Sequence, residues 1–384
     1  VAVLTQDDCR IGRRRKTTAV KTKTKTGVIL PVHSSLAVPA TERSRKKSTI
    51  NDIARLAGVS KKTVSRVIND SPFVKEETRI KIKEIIRENG FAPDPQARGL
   101  AFRRSFLIGM IYNNPTPQYV INNMQGILDA LRGSPFELVI RPCNRDAQNF
   151  LHDMRAFIER QKLSGVVLLP SASEDERLIG MLREIECPYT RIAAVGLDAP
   201  EKMVVTHDSA GAADAARHLA GLGHKVIAHI SGPKTFRSAF ERRKGFTEGL
   251  AGCGLKLLSP YDREAAYTFE SGQAAAEALL SLSPRPTAIF AGNDEMAAGV
   301  YVAARNLRLE IPKDLSVVGF DDSPIASRMW PLLTSVRLPI HEMGRMAAEK
   351  LLRRWKEKTP PADDKTEVIP ALIIRNSTAA PNNV

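Results

Sequence analysis

Two groups of polar side chains have the type and spacing to do chemistry, and in both it is hydrogen bonding rather than bond making. The first is Ser60, Lys61, Lys62, Thr63, Ser65 and Arg66, a run of donors interrupted only by Val64. Lys and Arg can donate to guanine O6 and N7, while hydroxyls and backbone N–H groups position phosphates. The second is a set of acceptors that follow apolar runs. Asp321 follows Val318–Gly319–Phe320, Asn293 with Asp294 follows Ile289–Phe290, and Asp208 follows Val204–Val205. Carboxylate and amide oxygens suit vicinal hydroxyls, because each can accept from two neighbouring O–H groups.

No catalytic constellation competes with them. His207, His218, His224 and His229 are spaced by 11, 6 and 5 residues, which does not put two ligands on one helix face. Cys9, Cys143, Cys187 and Cys253 stand singly, so neither a zinc site nor a disulfide framework is expected. There is no GxSxG, P-loop or GxGxxG. An enzyme is disfavoured, and no cofactor or metal is expected.

The donors need a helix to present them. Ile50, Ile53, Ala54 and Ala57 mark one face of a short helix that Thr49 can cap. Gly58 allows a left-handed corner, and Ser60 can cap a second helix with Val64, Val67 and Ile68 inward. A third helix is expected over Glu76–Asn89, with Ile82, Ile85 and Ile86 inward and Gly90 as its stop. Lys75 stands where Ser or Thr would cap it, at a cost of about 1 kcal/mol. Two helices joined at Ala57–Ser60 make a helix-turn-helix. Pro93 and Pro95 then break the pattern, and Gln96–Arg103 is too short to hold as a helix alone.

The acceptors need strands. Apolar runs at Leu107–Tyr112, Phe136–Arg141, Gly165–Leu169, Ile192–Val195, Val226–Ser231, Thr287–Ala291 and Leu315–Phe320 alternate with helical stretches such as Asp214–Ala220 and Gly272–Leu282. Unalternated strands between helices indicate parallel sheets covered on both faces. About 280 residues of this pattern exceed one core, so two lobes are expected. Ligands of such lobes sit at the carboxyl ends of the strands. Each acceptor also has a purely structural reading: Asp321 and Asn293 could cap the helices that follow, and Asp208 could simply begin one.

Charge separates the parts. The 384 residues carry 57 Lys and Arg against 42 Asp and Glu, a formal +15. Residues 1–47 hold 12 basic and 3 acidic side chains, residues 48–104 hold 12 and 7, and the rest hold 33 and 32. A basic end on a neutral body is the footprint of nucleic-acid binding or of a solvated tail. It excludes a uniformly basic ribosomal-type chain. Residues 1–47 (RIGRRRK, KTKTKTG, ERSRKK) have no helical or strand period and are expected to be disordered. Because the chain opens with Val, they read as a dispensable tail or as sequence upstream of the true start. With no apolar run near the ~20 residues of a membrane span and no secretory signal, a soluble cytoplasmic protein is expected.

The string STINDIARLAGVSKKTVSRVIND closely resembles the LacI/GalR family of bacterial transcription regulators, and the likeness runs from Ser48 to the ending Leu372–Thr378. It implies an all-α helix-turn-helix head with a hinge helix, followed by an α/β periplasmic-binding-protein-like sensor of two doubly wound parallel-sheet lobes. The expected divisions are an extension at 1–47, a head at 48–92, a hinge at 93–104 and a sensor and dimerisation domain at 105–384. Leu100 matches the family's hinge leucine, which wedges into the minor groove when two protomers meet on DNA. The DNA-contacting set is then Thr49, Ser60, Lys61, Lys62, Thr63, Ser65, Arg66, Asn69 and Leu100. Lys61 and Lys62 depart from the best-known relatives at base-reading positions, so their operators do not transfer. Arg242, three residues before Gly245–Phe246, matches the family's effector-binding Arg, although a structural ion pair would also explain it. Tyr267 falls where relatives place an aromatic residue against the ligand, Tyr119 lies in the loop after the first strand, and Phe236 and Ser238 align with contact positions in some relatives. With Asp208, Asn293 and Asp321 these form the expected effector site.

The implied function is a sequence-specific repressor whose affinity for pseudo-palindromic double-stranded operator DNA is set by a small metabolite, a sugar, held between the lobes. No heptads follow Arg375, so a homodimer is expected rather than a tetramer, with no membrane partner. The alternative is a regulator whose sensor answers to a protein partner instead of a metabolite.

Overall fold

The computed structural model describes residues 48–68, 71–91, 105–356 and 367–382. The extension at 1–47, the hinge at 93–104 with Leu100, and Asn69 lie outside the described residues. The chain divides between Phe91 and Ala92 into two compact units.

The first unit is three helices, α1 (Ile50–Ala57), α2 (Lys61–Ile68) and α3 (Glu76–Glu88). Thr49 begins α1 with a capping box: Asp52 N–H donates to the Thr49 hydroxyl, and the Asp52 carboxylate accepts from Thr49 N. Gly58 ends the helix at φ +69°, where a side chain would be strained. Ser60 Oγ accepts from Thr63 N at 3.2 Å and so caps α2. Lys75 precedes α3 with no side-chain cap, as its type requires. Ile53, Ala54, Ala57, Val64, Val67 and Ile82 close the core. The unit is small, so each of these contacts is a large share of its stability.

The second unit holds two sheets. The first contains β1 (Leu107–Tyr112), β2 (Glu137–Pro142), β3 (Gly165–Leu168), β4 (Tyr189–Ala193) and β5 (Met203–Val205), all parallel in the order β2-β1-β3-β4-β5. Helices α4 (Pro117–Leu131), α5 (Phe150–Gln161) and α6 (Glu176–Glu184) connect them. The chain then crosses to α7 (Asp208–Gly221), β6 (Ile227–Ser231), α8 (Arg237–Gly252), β7 (Asp262–Glu264), α9 (Phe269–Leu280), β8 (Ala288–Ala291), α10 (Asp294–Asn306), β9 (Ser316–Asp321) and β10 (Thr334–Arg337). Helix α11 (Ile340–Lys356) returns to pack on α4, β3 and β4. Strand β11 (Ala371–Ile373) closes the second sheet, whose order is β11-β10-β9-β8-β6-β7. Each of the seven expected strand cores is present: Leu107–Tyr112 matches at both ends, and no end of the others moves by more than three residues. Strand β5 grows from the short Val204–Val205 run, and three further strands lack an apolar pattern: β7 is Asp-Arg-Glu, β10 has Val336 as its one apolar residue and β11 has only three residues. The sheets are also not wholly parallel, because β11 runs antiparallel to β10. An edge strand needs only one partner, which leaves its direction free.

Apolar packing joins the lobes. One buried cluster runs from Ile108 and Val167 of the first sheet through Ala212 and Phe246 to Phe290, Val318 and Val336 of the second. Among the described residues no helix is long and apolar enough to cross a membrane.

Candidate functional site

The first unit offers a donor surface on α2. Val64 and Val67 are buried, which turns Lys61, Lys62 and Arg66 outward, with Thr63 and Ser65 half-buried beside them. Lys61, Lys62 and Arg66 have no counter-charge among the described residues. Their placement works against the helix: α2 has no acid in its first turn and two lysines there, at the end where the helix dipole favours anions. Lys62 and Arg66 are also like charges four residues apart. A phosphate at that end removes both penalties, because it meets the free N–H groups and the lysines together. Thr49 and Ser60 are exposed but committed to their caps.

The second unit holds a crevice between the lobes, lined by Asn114, Thr116, Tyr119, Pro170, Ala194, Thr206, Asp208, Phe236, Ser238, Arg242, Tyr267, Asn293, Asp321 and Leu338. All eight side chains singled out in the sensor sequence therefore converge here. The space measures about 410 Å³, part of it open to solvent.

An ionic cluster forms its floor. Arg242, on α8, donates from Nε to Asp208 Oδ2 at 2.7 Å and from Nη2 to Asp321 Oδ1 at 3.3 Å. Its Nη1 donates to the Gly292 carbonyl, and its guanidinium lies 3.7 Å from the centre of the Phe320 ring. Thr206 donates its hydroxyl to Asp208 Oδ1. Burial opposes the Arg242 charge, but Asp208, Tyr267 and Asp321 outweigh it and hold its pKa above the ordinary value. Burial pushes Asp321 up to about 6; Arg242 opposes the rise and Asp208 adds to it. Asp321 ends β9 and Asp208 begins α7, as their positions after apolar runs suggest. Asp321 at φ +100° and Asp322 at φ +49° are both left-handed, and the turn is held by Asp322 N–H donating to Ser335 Oγ at 3.1 Å.

Aromatic rings make the wall. Tyr267 (φ +62°) lies over Gly232, where an added Cβ would stand 2.0 Å from the ring; only glycine leaves the ring its place. Phe236 meets Tyr267 edge-on at 5.5 Å, and the Ser238 and Tyr267 hydroxyls lie 3.4 Å apart. Burial raises the pKa of Tyr267 to about 12 and that of Tyr119 further, so both present O–H groups. Tyr119 is not in a loop: it sits in the first turn of α4, which begins at Pro117 and carries the side chain inward.

Two structural readings hold alongside the crevice positions. Arg242 is a buried ion-pair partner, and Asn293 caps α10 by accepting from Met296 N at 2.9 Å. Asn293 also donates to the Tyr267 carbonyl at 3.1 Å and to Thr116 Oγ1 of the other lobe at 3.4 Å. Asp321 makes no helix cap: the 3₁₀ turn Pro324–Ser327 starts at Ser323 with no side-chain bond. Sequence reasoning missed Asn114, Thr116, Pro170, Ala194, Thr206 and Leu338, although most of them also follow strands. Among the described residues no group of His, Cys, Asp and Glu could hold a metal ion.

Residues 49–94 match the family described as "Bacterial regulatory proteins, lacI family", and residues 216–378 match the "Periplasmic binding protein-like domain". The ribose operon repressor of Escherichia coli K12 is 31% identical over 330 residues, 86% of this chain and 99% of its own length. A solved complex of the transcriptional regulator CelR with cellobiose is similar with 29% identity and a TM-score of 0.64, over 86% of this chain and 99% of that one. The lac repressor dimer bound to operator and the anti-inducer ONPF is similar with 25% identity and a TM-score of 0.70, over 87% and 100%.

Proposed function

The chain belongs to the LacI family of bacterial regulatory proteins, and from that premise we propose that it is a transcriptional repressor of the cytoplasm, without catalytic activity, whose DNA affinity is set by a neutral sugar held between the sensor lobes. As a homodimer it places one α2 in each half of a pseudo-palindromic operator. Lys61, Lys62 and Arg66 meet base edges and phosphates there, and Thr49, Ser60, Thr63 and Ser65 help to hold the backbone.

The ionic cluster carries the choice of effector. Asp208 and Asp321 face a single guanidinium that is already bonded to both and to a carbonyl. Among the residues that line the crevice, no uncommitted cation is left to receive a phosphate or carboxylate. The remaining N–H groups of Arg242, the free lone pairs of Asp321 and the hydroxyls of Tyr119 and Ser238 suit a ligand that both donates and accepts, as adjacent sugar hydroxyls do. Tyr267 and Phe236 supply the flat apolar surface that a sugar ring covers.

A thermal-shift screen tests this, because a ligand that binds the native state stabilises it by mass action. Neutral monosaccharides and disaccharides should include a stabilising ligand, while sugar phosphates and uronates raise the melting temperature no more than salt does. Stabilisation by a charged sugar alone would overturn the assignment.

A further inference from the structure

Outside the crevice floor, the two lobes touch through a second polar contact at its rim. The 3₁₀ turn Ala172–Glu174 of the first lobe reaches the start of α8 in the second, where Glu174 Oε2 accepts from Arg237 N at 3.0 Å. From the loop after β2, Arg145 donates Nη1 to the Thr235 carbonyl at 3.5 Å and Nε to Asp175 Oδ2 at 3.2 Å. Glu174 Oε1 is buried and has no hydrogen-bond partner. A carboxylate there carries charge on a buried oxygen that accepts no hydrogen bond from the protein, whereas a carboxylic acid does not.

We propose that Glu174 is a proton-linked latch between the sensor lobes, closing the rim when protonated and releasing it as it ionises. Oε2 accepts from Arg237 in either form, so the contact itself survives protonation. What changes is the cost of burying Oε1. The surrounding charges do not remove that cost. Arg145 and Arg237 favour the anion and Asp208 of α7 opposes it, while Asp175 is bonded to Arg145 and Arg177, and Arg237 Nε is turned to Glu241. Burial is the largest influence and carries Glu174 up to about 7, from an ordinary 4.5.

The sign follows from linkage. Closing the rim raises the pKa, so the closed form binds more protons between the two values. Closure is therefore fully favoured below the ordinary value and loses that advantage as pH rises through about 7. Between pH 8 and pH 6 these two values give roughly a tenfold gain in the ratio of closed to open lobes. Lobe angle is the property through which an effector would reach the head, so this proton would bias the same equilibrium from a separate place.

The test uses the full chain without effector, so it stands independently of which sugar binds. Spin labels go on Cys253, which is exposed in the second lobe, and on Glu184→Cys in the first, with Cys9 and Cys143 replaced by Ser. Labelled protomers are diluted with unlabelled ones, and distances are read by double electron–electron resonance from pH 6 to pH 8. The wild type should shift from a shorter to a longer distance, with a tenfold change in their ratio. Glu174→Gln keeps an acceptor but cannot ionise, and should hold the short distance throughout. A wild-type distribution that ignores pH overturns the latch, as does a Glu174→Gln protein that keeps the wild-type response.

Discussion

Arg242 and Asp208 meet at 2.7 Å, Nε to Oδ2, with both side chains almost wholly buried. The pair ties α8 to the first turn of α7, directly after the chain leaves the first sheet. A ligand that competes for either partner thus acts where the chain enters the second lobe. The two carboxylates that share Arg242 cannot do without it.

Replacing Arg242 should therefore be costly in two ways. Arg242→Ala leaves Asp208 and Asp321 buried with no cation, and breaking a buried pair costs about 3–5 kcal/mol. Arg242→Lys keeps the charge but not the fork that reaches Asp208, Gly292 and Asp321 together, so it should fall between. Urea unfolding of the three proteins measures this. An unchanged midpoint for Arg242→Ala would remove the cluster from the stability of the sensor. The sugar that stabilises the wild type should give no thermal shift with either variant.

Asp294 makes the sensor sensitive to alkali. It lies behind Asp321, accepting from Ser323 N at 2.6 Å and facing the Ser335 hydroxyl at 2.6 Å, and burial pushes it up to about 8. A carboxyl raised in the folded state keeps its proton there and loses it when unfolded, so stability is greatest below about 4 for this group and falls as pH climbs towards 8. Asn can accept from Ser323 and donate to Ser335 without ionising. Asp294→Asn should accordingly flatten the decline in melting temperature from pH 6 to pH 9. A decline as steep as that of the wild type would show that another group titrates.

The head depends on local capping. Thr49→Ala removes the hydroxyl that accepts from Asp52 N and breaks the capping box of α1. The expected loss is about 1 kcal/mol. Because the head is a separate compact unit, hydrogen exchange should quicken at residues 50–57 and leave β1 and β8 unchanged. Equal quickening in both units would mean that they unfold together.

What could be read in the sequence was mostly local. The helical faces around Ile53 and Val64, the corner at Gly58 and the cap at Thr49 are set by neighbours a few residues away, and periodicity exposes them. Asp321, Asn293 and Asp208 could be found because polar groups that line such a crevice follow parallel strands. Arg242, Tyr267, Tyr119, Phe236 and Ser238 came from the family likeness, and spacing alone would not have singled them out. The edge strand Ala371–Ile373 is too short to show a period. The bond from Arg237 to Glu174 spans 63 residues between the lobes, and only the folded chain brings those two together.

The donor face of α2 makes the most direct claim on DNA. Arg66 is exposed with a guanidinium that can grip guanine O6 and N7 in two bonds, whereas Lys61 and Lys62 sit at the helix end best placed for phosphates. The residues should then fail differently. Selection from a random DNA library with the wild type should yield two related half-sites. Arg66→Ala should relax the preference at one base pair in each half by about 1–3 kcal/mol. Lys61→Ala should weaken binding to all sequences alike and lower its slope against salt by about 1 for each phosphate left without its lysine. A uniform loss for Arg66→Ala, with the base preferences unchanged, would return that side chain to the phosphates and leave the reading of bases to others on the same face.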